Sequence, residues 1–577
     1  MIRNLIFIAF CLFPGIRGTA QTLAGTDDLG RTLPQSDRVG APRQNRHVAM
    51  FYFLWQDQAP AKSWDLHEIW TKHPEAFEDF DHPAWGGDGK TVGYYYWGQP
   101  IYGYYKGDDY WVHLRNMQLL ADAAVDLVVI DATNGPTYPQ QADALMRAMM
   151  AVNQQGKKAP KIVFYTNTAS GATMQTVYNQ FYKPGAPHYY PETWFLLDGK
   201  PLIIGVTAES AGREFEHFFS YRETQWPNEG RHKINGWPWI EFQRPQHVYS
   251  NHKGEREIVN VSVAQHPNPT AGMGGSAFYG NQDNWGRSFR NGSKGNPEQD
   301  IFYGYNVQEQ WDFAVRQEVP FVFVTGWNEW IAGKWPSHDA NPEHSWFCDQ
   351  ASPEYSRDIE PTLTAGLRDH YYMQLVDNVR RYKGVAPNPV LSPVKTVRSW
   401  KDWDSVFPEY TDYTGDTAPR HHPGAPVDPP TTYVNTTGRN DFHRAKVARD
   451  QKNIYFYIST VKPVSKQDGN NWMVLYLDTD RSHRTGWKGF DLRVTGGETL
   501  QKFRNGKWTE SGKVSCKTEG NQMMITIPRN SLGEPDAPVN LEFKWSDNMQ
   551  DETEPLDWYL NGDAAPGGRF NFIACEK

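Results

Sequence analysis

Cysteine is scarce in this chain, four among 577 residues, and neither a CxxC pair nor a His/Cys spacing suited to zinc occurs. A disulfide scaffold is therefore excluded. Of Cys11, Cys348, Cys516 and Cys575, the last two fall in one C-terminal region and are expected to pair in an oxidising compartment. Basic charge is also short: 58 Lys and Arg against 67 Asp and Glu give a net charge of −9. Nothing supplies the basic field that nucleic acid or an anionic polysaccharide would need. A long apolar run is missing too. Leu5 to Ile16, behind Arg3 and ahead of Gly18-Thr19-Ala20, is too short for a stable transmembrane anchor and has the layout of an export signal. Phe10 is bulky where lipid attachment at Cys11 would want a small residue. The reading is a secreted or periplasmic protein, with no transmembrane segment, cleaved after Ala20.

Aromatic residues are abundant. With 23 Trp, 30 Tyr and 29 Phe they make 14% of the chain, a surplus that suggests exposed stacking platforms in a hydrophilic protein. A chain this long should divide into two or more domains. The expected order is a signal peptide at 1–20, a flexible segment at 21–45, a barrel at 46–385, a Pro-rich linker at 386–394 and β-rich chain at 395–577.

The barrel is read from alternating strand and helix patterns. Strands are expected at 47–55, 126–130, 161–165, 201–206, 237–242, 258–263 and 320–325, and an eighth is not evident. The helical face of Ala142, Leu145, Met146, Met149 and Met150 is core packing. The fold class is α/β, a (β/α)8 TIM barrel followed by a C-terminal all-β sandwich domain.

The strand at 320–325 runs into Gly326-Trp327-Asn328-Glu329-Trp330. In such barrels the carboxyl ends of the strands carry the active-site groups. Glu329 is the first candidate catalytic carboxylate. Trp327 and Trp330 offer flat faces to a sugar ring, and Asn328 offers a donor and an acceptor. The bland alternative is a solvated Glu with both Trp packed under loops.

WNEW after a hydrophobic strand resembles the motif of glycoside hydrolase family 99 and its family 71 relatives. The resemblance spans roughly residues 46–385 and implies a barrel that cleaves α-linked glycans with two carboxylates, without a catalytic cofactor. It departs at Ala332, where family 99 has its second Glu. A partner carboxylate must then come from elsewhere: Glu241 is placed ahead for catalysis, Asp131 ahead for binding, and Glu360 is a further candidate. Trp55, Asn134 and His266, at other strand ends, complete the expected substrate-binding set. The substrate would be a polysaccharide or oligosaccharide. The rival reading, favoured by Ala332, is a non-catalytic glycan-binding protein, and a third is a scaffold whose aromatic loops meet another protein.

The chain beyond 395 has frequent strands and no long helix. On the segment 470–494, the chain over roughly 395–577 resembles family 9 carbohydrate-binding modules and related sandwiches appended to secreted enzymes. Asp478 and Asp480, two apart at a strand end, could hold a structural calcium or form a plain acidic turn. Trp472 is expected in the core. Intact-mass analysis of the exported protein should find its N-terminus at Gln21; retention of Met1, or a lipid on Cys11, would contradict the signal reading.

Overall fold

The structure, a computed structural model, describes residues 22–58, 65–86, 93–267, 284–336, 345–347, 350, 352–426, 430–469, 471–533 and 536–576. The expected export signal, Cys11 and Cys348 lie outside them.

Eight parallel strands form a nearly closed barrel: β1 (His47–Tyr52), β2 (Leu127–Ala132), β3 (Lys161–Thr166), β4 (Lys200–Gly205), β5 (Ser220–Gln225), β6 (Gly236–Pro238), β7 (Arg256–Ser262) and β8 (Phe321–Thr325). Parallel ladders join β7 to β8, β8 to β1 and each strand onward to β6. Between β6 and β7 side chains replace the ladder. Asn260 donates to the carbonyls of Pro238, Trp239 and Phe323 at 3.3, 3.0 and 3.0 Å, and Thr325 also donates to Trp239. Alternation then sorts the side chains. Phe51, Val129, Tyr165, Ile204, Trp237 and Phe323 fill the barrel, while Met50, Ile130, Phe164, Ile203 and Val322 face the helical layer.

The strand that the sequence left unplaced is β5. It reads SYRETQ, with no apolar run, because Arg222 is buried against Glu257 of β7 through contacts of 2.6 and 2.8 Å. A paired guanidinium occupies a position that periodicity assigns to an aliphatic residue.

The helical layer includes α1 (Tyr110–Asp122), α2 (Pro139–Gln154), α3 (Ser170–Val177), α4 (Tyr305–Gln317) and α5 (His370–Lys383). Asp109 caps α1 by accepting from Trp111 and Val112 N–H groups, which satisfies donors a helix start leaves orphaned. The same carboxylate pairs with Arg420, from the C-terminal part of the chain, at 2.7 and 2.9 Å.

That C-terminal part is built of two antiparallel sheets on a shared core. One runs Glu409–Thr411, Phe442–Arg449, Asn453–Thr460, Gln522–Pro528, Ser515–Glu519. The other centres on Phe570–Cys575, Asn540–Asp547, Val474–Asp478 and Leu492–Thr495. Phe442, Val447 and Phe456 of the first pack with Leu475, Val494 and Phe543 of the second, and Trp472 lies in this core.

Three expectations are corrected. Residues 22–45 are not a flexible lead: Ala24–Gly25 adds an edge strand beside Phe570 and Asn571, and Asp28 accepts from Arg368, Lys488 and Arg569. The proline-containing stretch is not a free spacer. Ala386 accepts from Thr22, Asn388 bonds Gln35, and Leu391 donates to Cys575. Barrel and C-terminal sheets share one apolar cluster, which includes Tyr372 of α5 beside Tyr413, Tyr559 and Phe570. Third, Cys516 and Cys575 are both free thiols. Each lies in a strand of a different sheet, and the Cys575 sulfur faces the Pro389 carbonyl at 3.7 Å. No helix among the described residues is long and apolar enough to cross a membrane.

Because Arg420 and Asp109 are both buried, Arg420→Ala strands a carboxylate and should cost about 3–5 kcal/mol of unfolding free energy in denaturant titration; a loss under ~1 kcal/mol would show that the pair is solvated. Thiol titration of the denatured, unreduced protein should count both Cys516 and Cys575 as reactive, and protection of the two would restore the disulfide.

Candidate functional site

The loop Gly326–Trp330 leaves β8 and is held from below by backbone. Trp327 donates to Phe51 O at 2.9 Å and accepts from Ile359 and Glu360 at 3.1 and 3.0 Å, so residues 357–360 run beneath it. Asn328 accepts from the Phe53 amide at 2.9 Å and donates to Phe53 O and to the Tyr105 hydroxyl at 3.1 and 3.0 Å. The expected roles of three motif residues are therefore corrected. Trp327 and Trp330 have no open face for a sugar: they are 0% and 1% exposed, Trp327 against Tyr372 and Trp330 among Tyr96, Tyr104 and Tyr105. Asn328 spends its amide on holding the end of β1.

Glu329 is placed differently. Its carboxylate takes two contacts from Arg357, 2.7 Å from Nη2 and 3.2 Å from Nε. Arg357 is fully buried, lies 5.3 Å over the Trp239 ring, and extends Nη1 to 3.3 Å from His266 Nδ1. His266 follows β7. Burial, then the Arg357 charge, hold its imidazole well below the usual titration range, so it is neutral and can accept. Phe242 meets the His266 ring edge to face at 4.9 Å, and next to it in sequence is Glu241.

Glu241 lies past the end of β6, in a loop, so strand alternation does not decide its direction. It accepts from the Gln243 amide at 2.9 Å and the Tyr249 hydroxyl at 3.0 Å, with His232 at 4.0 Å. Burial is the largest influence and raises its carboxyl above the usual range. The ends of β7 and β8 thus bring His266 and Glu329 together on Arg357, whereas the Glu241 carboxyl, past β6, is bonded to Tyr249 beside the start of β7.

Asp131 is on β2 with the inward parity of Leu127 and Val129; it accepts from the Thr133 amide at 3.0 Å and lies near Tyr138. Asn134 is exposed beyond it. Trp55 is half-buried, edge to face with Tyr94 at 5.7 Å. Trp226 packs on Trp239 at 5.4 Å. The indole N–H groups of Trp55, Trp226 and Trp239 are buried and have no acceptor among the described residues. Unused donors of this kind call for a partner. Most of the Tyr- and Trp-rich loop is packing: Tyr95, Tyr96, Trp97, Tyr102, Tyr104 and Tyr105 are all buried.

Glu360 is corrected as a mouth residue. It turns to the helical layer and accepts from Tyr105 at 2.9 Å and from Asn116 of α1 at 3.3 Å. Burial pushes its carboxyl up to about 8. Asp358 accepts from Trp97, and burial pushes it up to about 7. Arg357 was the residue without a signal, a single Arg in a loop crowded with acids. In the C-terminal sheets, Asp478 and Asp480 lie with Asp491, ligand atoms all within 4.8 Å of one another, and burial followed by repulsion from Glu542 and these neighbours pushes Asp478 to about 8.

No family model and no curated protein matches the chain. Among solved structures it is similar to two of the GH99 endo-alpha-mannosidase from Bacteroides thetaiotaomicron, at 12% and 13% identity and TM-score 0.32, covering 58% of this chain and 97% of theirs. A glycoside hydrolase-like protein aligns at 11% identity and TM-score 0.30, covering 60% and 96%. Likeness at this level leaves the functional reading to the side chains.

A pH dependence follows from Glu360. Its folded value, about 8, exceeds the ordinary 4.5. The folded protein therefore holds the extra proton between these values, and stability falls as pH rises through that window. Glu360→Gln mimics the protonated form and should flatten part of the decline from pH 5 to 8 in denaturation midpoints. A variant curve parallel to wild type would mean that Glu360 is already ionised.

Proposed function

We propose that this protein is an exported glycoside hydrolase whose catalytic carboxyls are Glu329 and Glu241. The observation that supports it most is the contrast between the environments of two carboxyls that follow strands two apart in the barrel, β6 and β8. Glu329 meets a buried guanidinium, whereas Glu241 sits in a dry site that favours its protonated form. Two carboxyls separated in this way suit a division of labour, one as base or nucleophile and the other as acid. Tyr249 and the Gln243 amide orient Glu241; Arg357 orients Glu329. A neutral His266, beside Arg357, offers a hydrogen-bonding group to a sugar hydroxyl. Asp131 and the half-buried Trp55 would bind the rest of an oligosaccharide or polysaccharide. The reaction needs no catalytic cofactor on this reading, and Asp491 joins Asp478 and Asp480 as ligands of a structural calcium.

One observation favours a binding protein without catalysis: two N–H groups of Arg357 occupy one Glu329 oxygen, and the residue is only 4% exposed. The two readings separate experimentally. On a polysaccharide from which the wild type releases reducing ends, Glu329→Gln and Glu241→Gln should each lower turnover by about 10²- to 10⁴-fold with glycan affinity nearly kept. Near-normal turnover in Glu329→Gln would falsify the assignment, and glycan binding by a wild type that releases no reducing ends would favour the binding protein.

A further inference from the structure

A second concentration of acid lies where the C-terminal sheets meet α1. Asp412 follows the strand Glu409–Thr411, Asp416 is in the next turn, Asp441 precedes Phe442–Arg449, and Asp563 opens the strand Asp563–Ala565. Asp412, Asp416 and Asp563 are buried and Asp441 is half-buried. One carboxylate oxygen from each of Asp416, Asp441 and Asp563 lies within 4.8 Å of the other two. That is the span of two oxygens on opposite sides of one calcium ion, at about 2.4 Å each.

The protein's own donors leave this cluster incomplete. Asp563 accepts from the Phe442 and Ala564 amides at 2.6 and 2.8 Å, and Asp441 from the Gly415 amide at 2.8 Å. Asp416 takes Arg115 at 3.3 Å on Oδ2. Yet Oδ1 of Asp416, Oδ1 of Asp441 and Oδ2 of Asp412 are buried without any hydrogen-bond partner. Asp412 stands outside the triad and is 7% exposed; the Asp416 charge acts on it, and its own charge acts on Asp563. The nearby lysines do not hydrogen-bond these oxygens, since Lys544 donates to Pro566 O and Lys157 to Thr411 O, although both charges act on Asp412 and that of Lys544 also couples to Asp563. Orphaned buried carboxylate oxygens are costly unless something pairs with them.

We propose that Asp416, Asp441 and Asp563 bind a calcium ion at the seam between the C-terminal sheets and the barrel. An all-oxygen, all-carboxylate set selects a hard divalent cation over zinc or copper. The ion would tie the turn 412–416 to the starts of two strands. That turn carries the contacts to the barrel: Tyr413 to Gln118 O and Asp122, Thr414 to Gln155, and Asp416 O to Arg115. The role is structural and does not depend on the chemistry assigned to the mouth.

The test uses the full-length protein carrying Asp480→Asn, which removes the other acidic cluster from the readout. After dialysis against calcium it should retain one equivalent by mass spectrometry of metals, and its melting temperature should fall with chelator and recover with calcium by a few degrees, with magnesium less effective. Adding Asp441→Asn or Asp416→Asn should remove that equivalent and the calcium response together. Retention of the equivalent in both double variants would overturn the site. So would a parent whose melting temperature ignores chelator and calcium alike, which would mean that protons neutralise the cluster. Because the parent alone gives this second outcome, a variant that fails to fold does not spare the proposal.

Discussion

Burying the Glu329 carboxylate against Arg357 constrains everything near the barrel mouth. A desolvated guanidinium must have its charge and its N–H groups answered on every side. Glu329 takes two N–H groups, His266 lies at a third, and the Trp239 ring covers the flat face. The backbone of 357–360 is bonded in turn to Gly326 and Trp327, so the Arg and the Glu are held in one rigid unit. A polar network continues outward through Asn328, Tyr105, Glu360 and Asn116 to Tyr52 and His113. The motif thus works mostly downward, into the scaffold. Of its four residues only Glu329 reaches Arg357, which also meets His266 past the end of β7.

The same logic of paired charge replacing regular structure recurs in the barrel wall. Where β6 and β7 are not joined by a ladder, Asn260 and Thr325 hold the carbonyls of β6 and the residue after it, and Arg222 and Glu257 pair buried. Trp237 adds its indole N–H to Glu257 at 3.0 Å. The gap lies beside Glu241, in a loop whose path is set by side chains instead of strand alternation. Across the molecule, Asp109 and Asp369 tie the barrel to Arg420 and Arg569 of the C-terminal sheets. The two parts share an apolar cluster as well, and the stretch between them is bonded along its length. Three prolines in ten residues describe backbone stiffness there, not separation.

The sequence determined what local periodicity can carry. Seven apolar strands, the helical face of α2 and the strand-rich C-terminal half follow from alternation and from 3.6-residue spacing, because those patterns report burial directly. They also put Glu329 at a strand end. Tertiary structure decided the rest, where a residue's partner is remote in sequence. The polar strand β5 exists because Arg222 finds Glu257, 35 residues on. Trp327 and Trp330 are core because strands and helices from both ends of the barrel close around them. Glu360 leaves the mouth because Tyr105 and Asn116 are its acceptor's donors, and Arg357 enters the site because Glu329 and His266 surround it. The free thiols of Cys516 and Cys575 have the same origin, since nearness in sequence does not bring two sheets' edges together. Burial pattern is a local property of the chain, but the pairing of charged and polar groups is set only when distant segments pack.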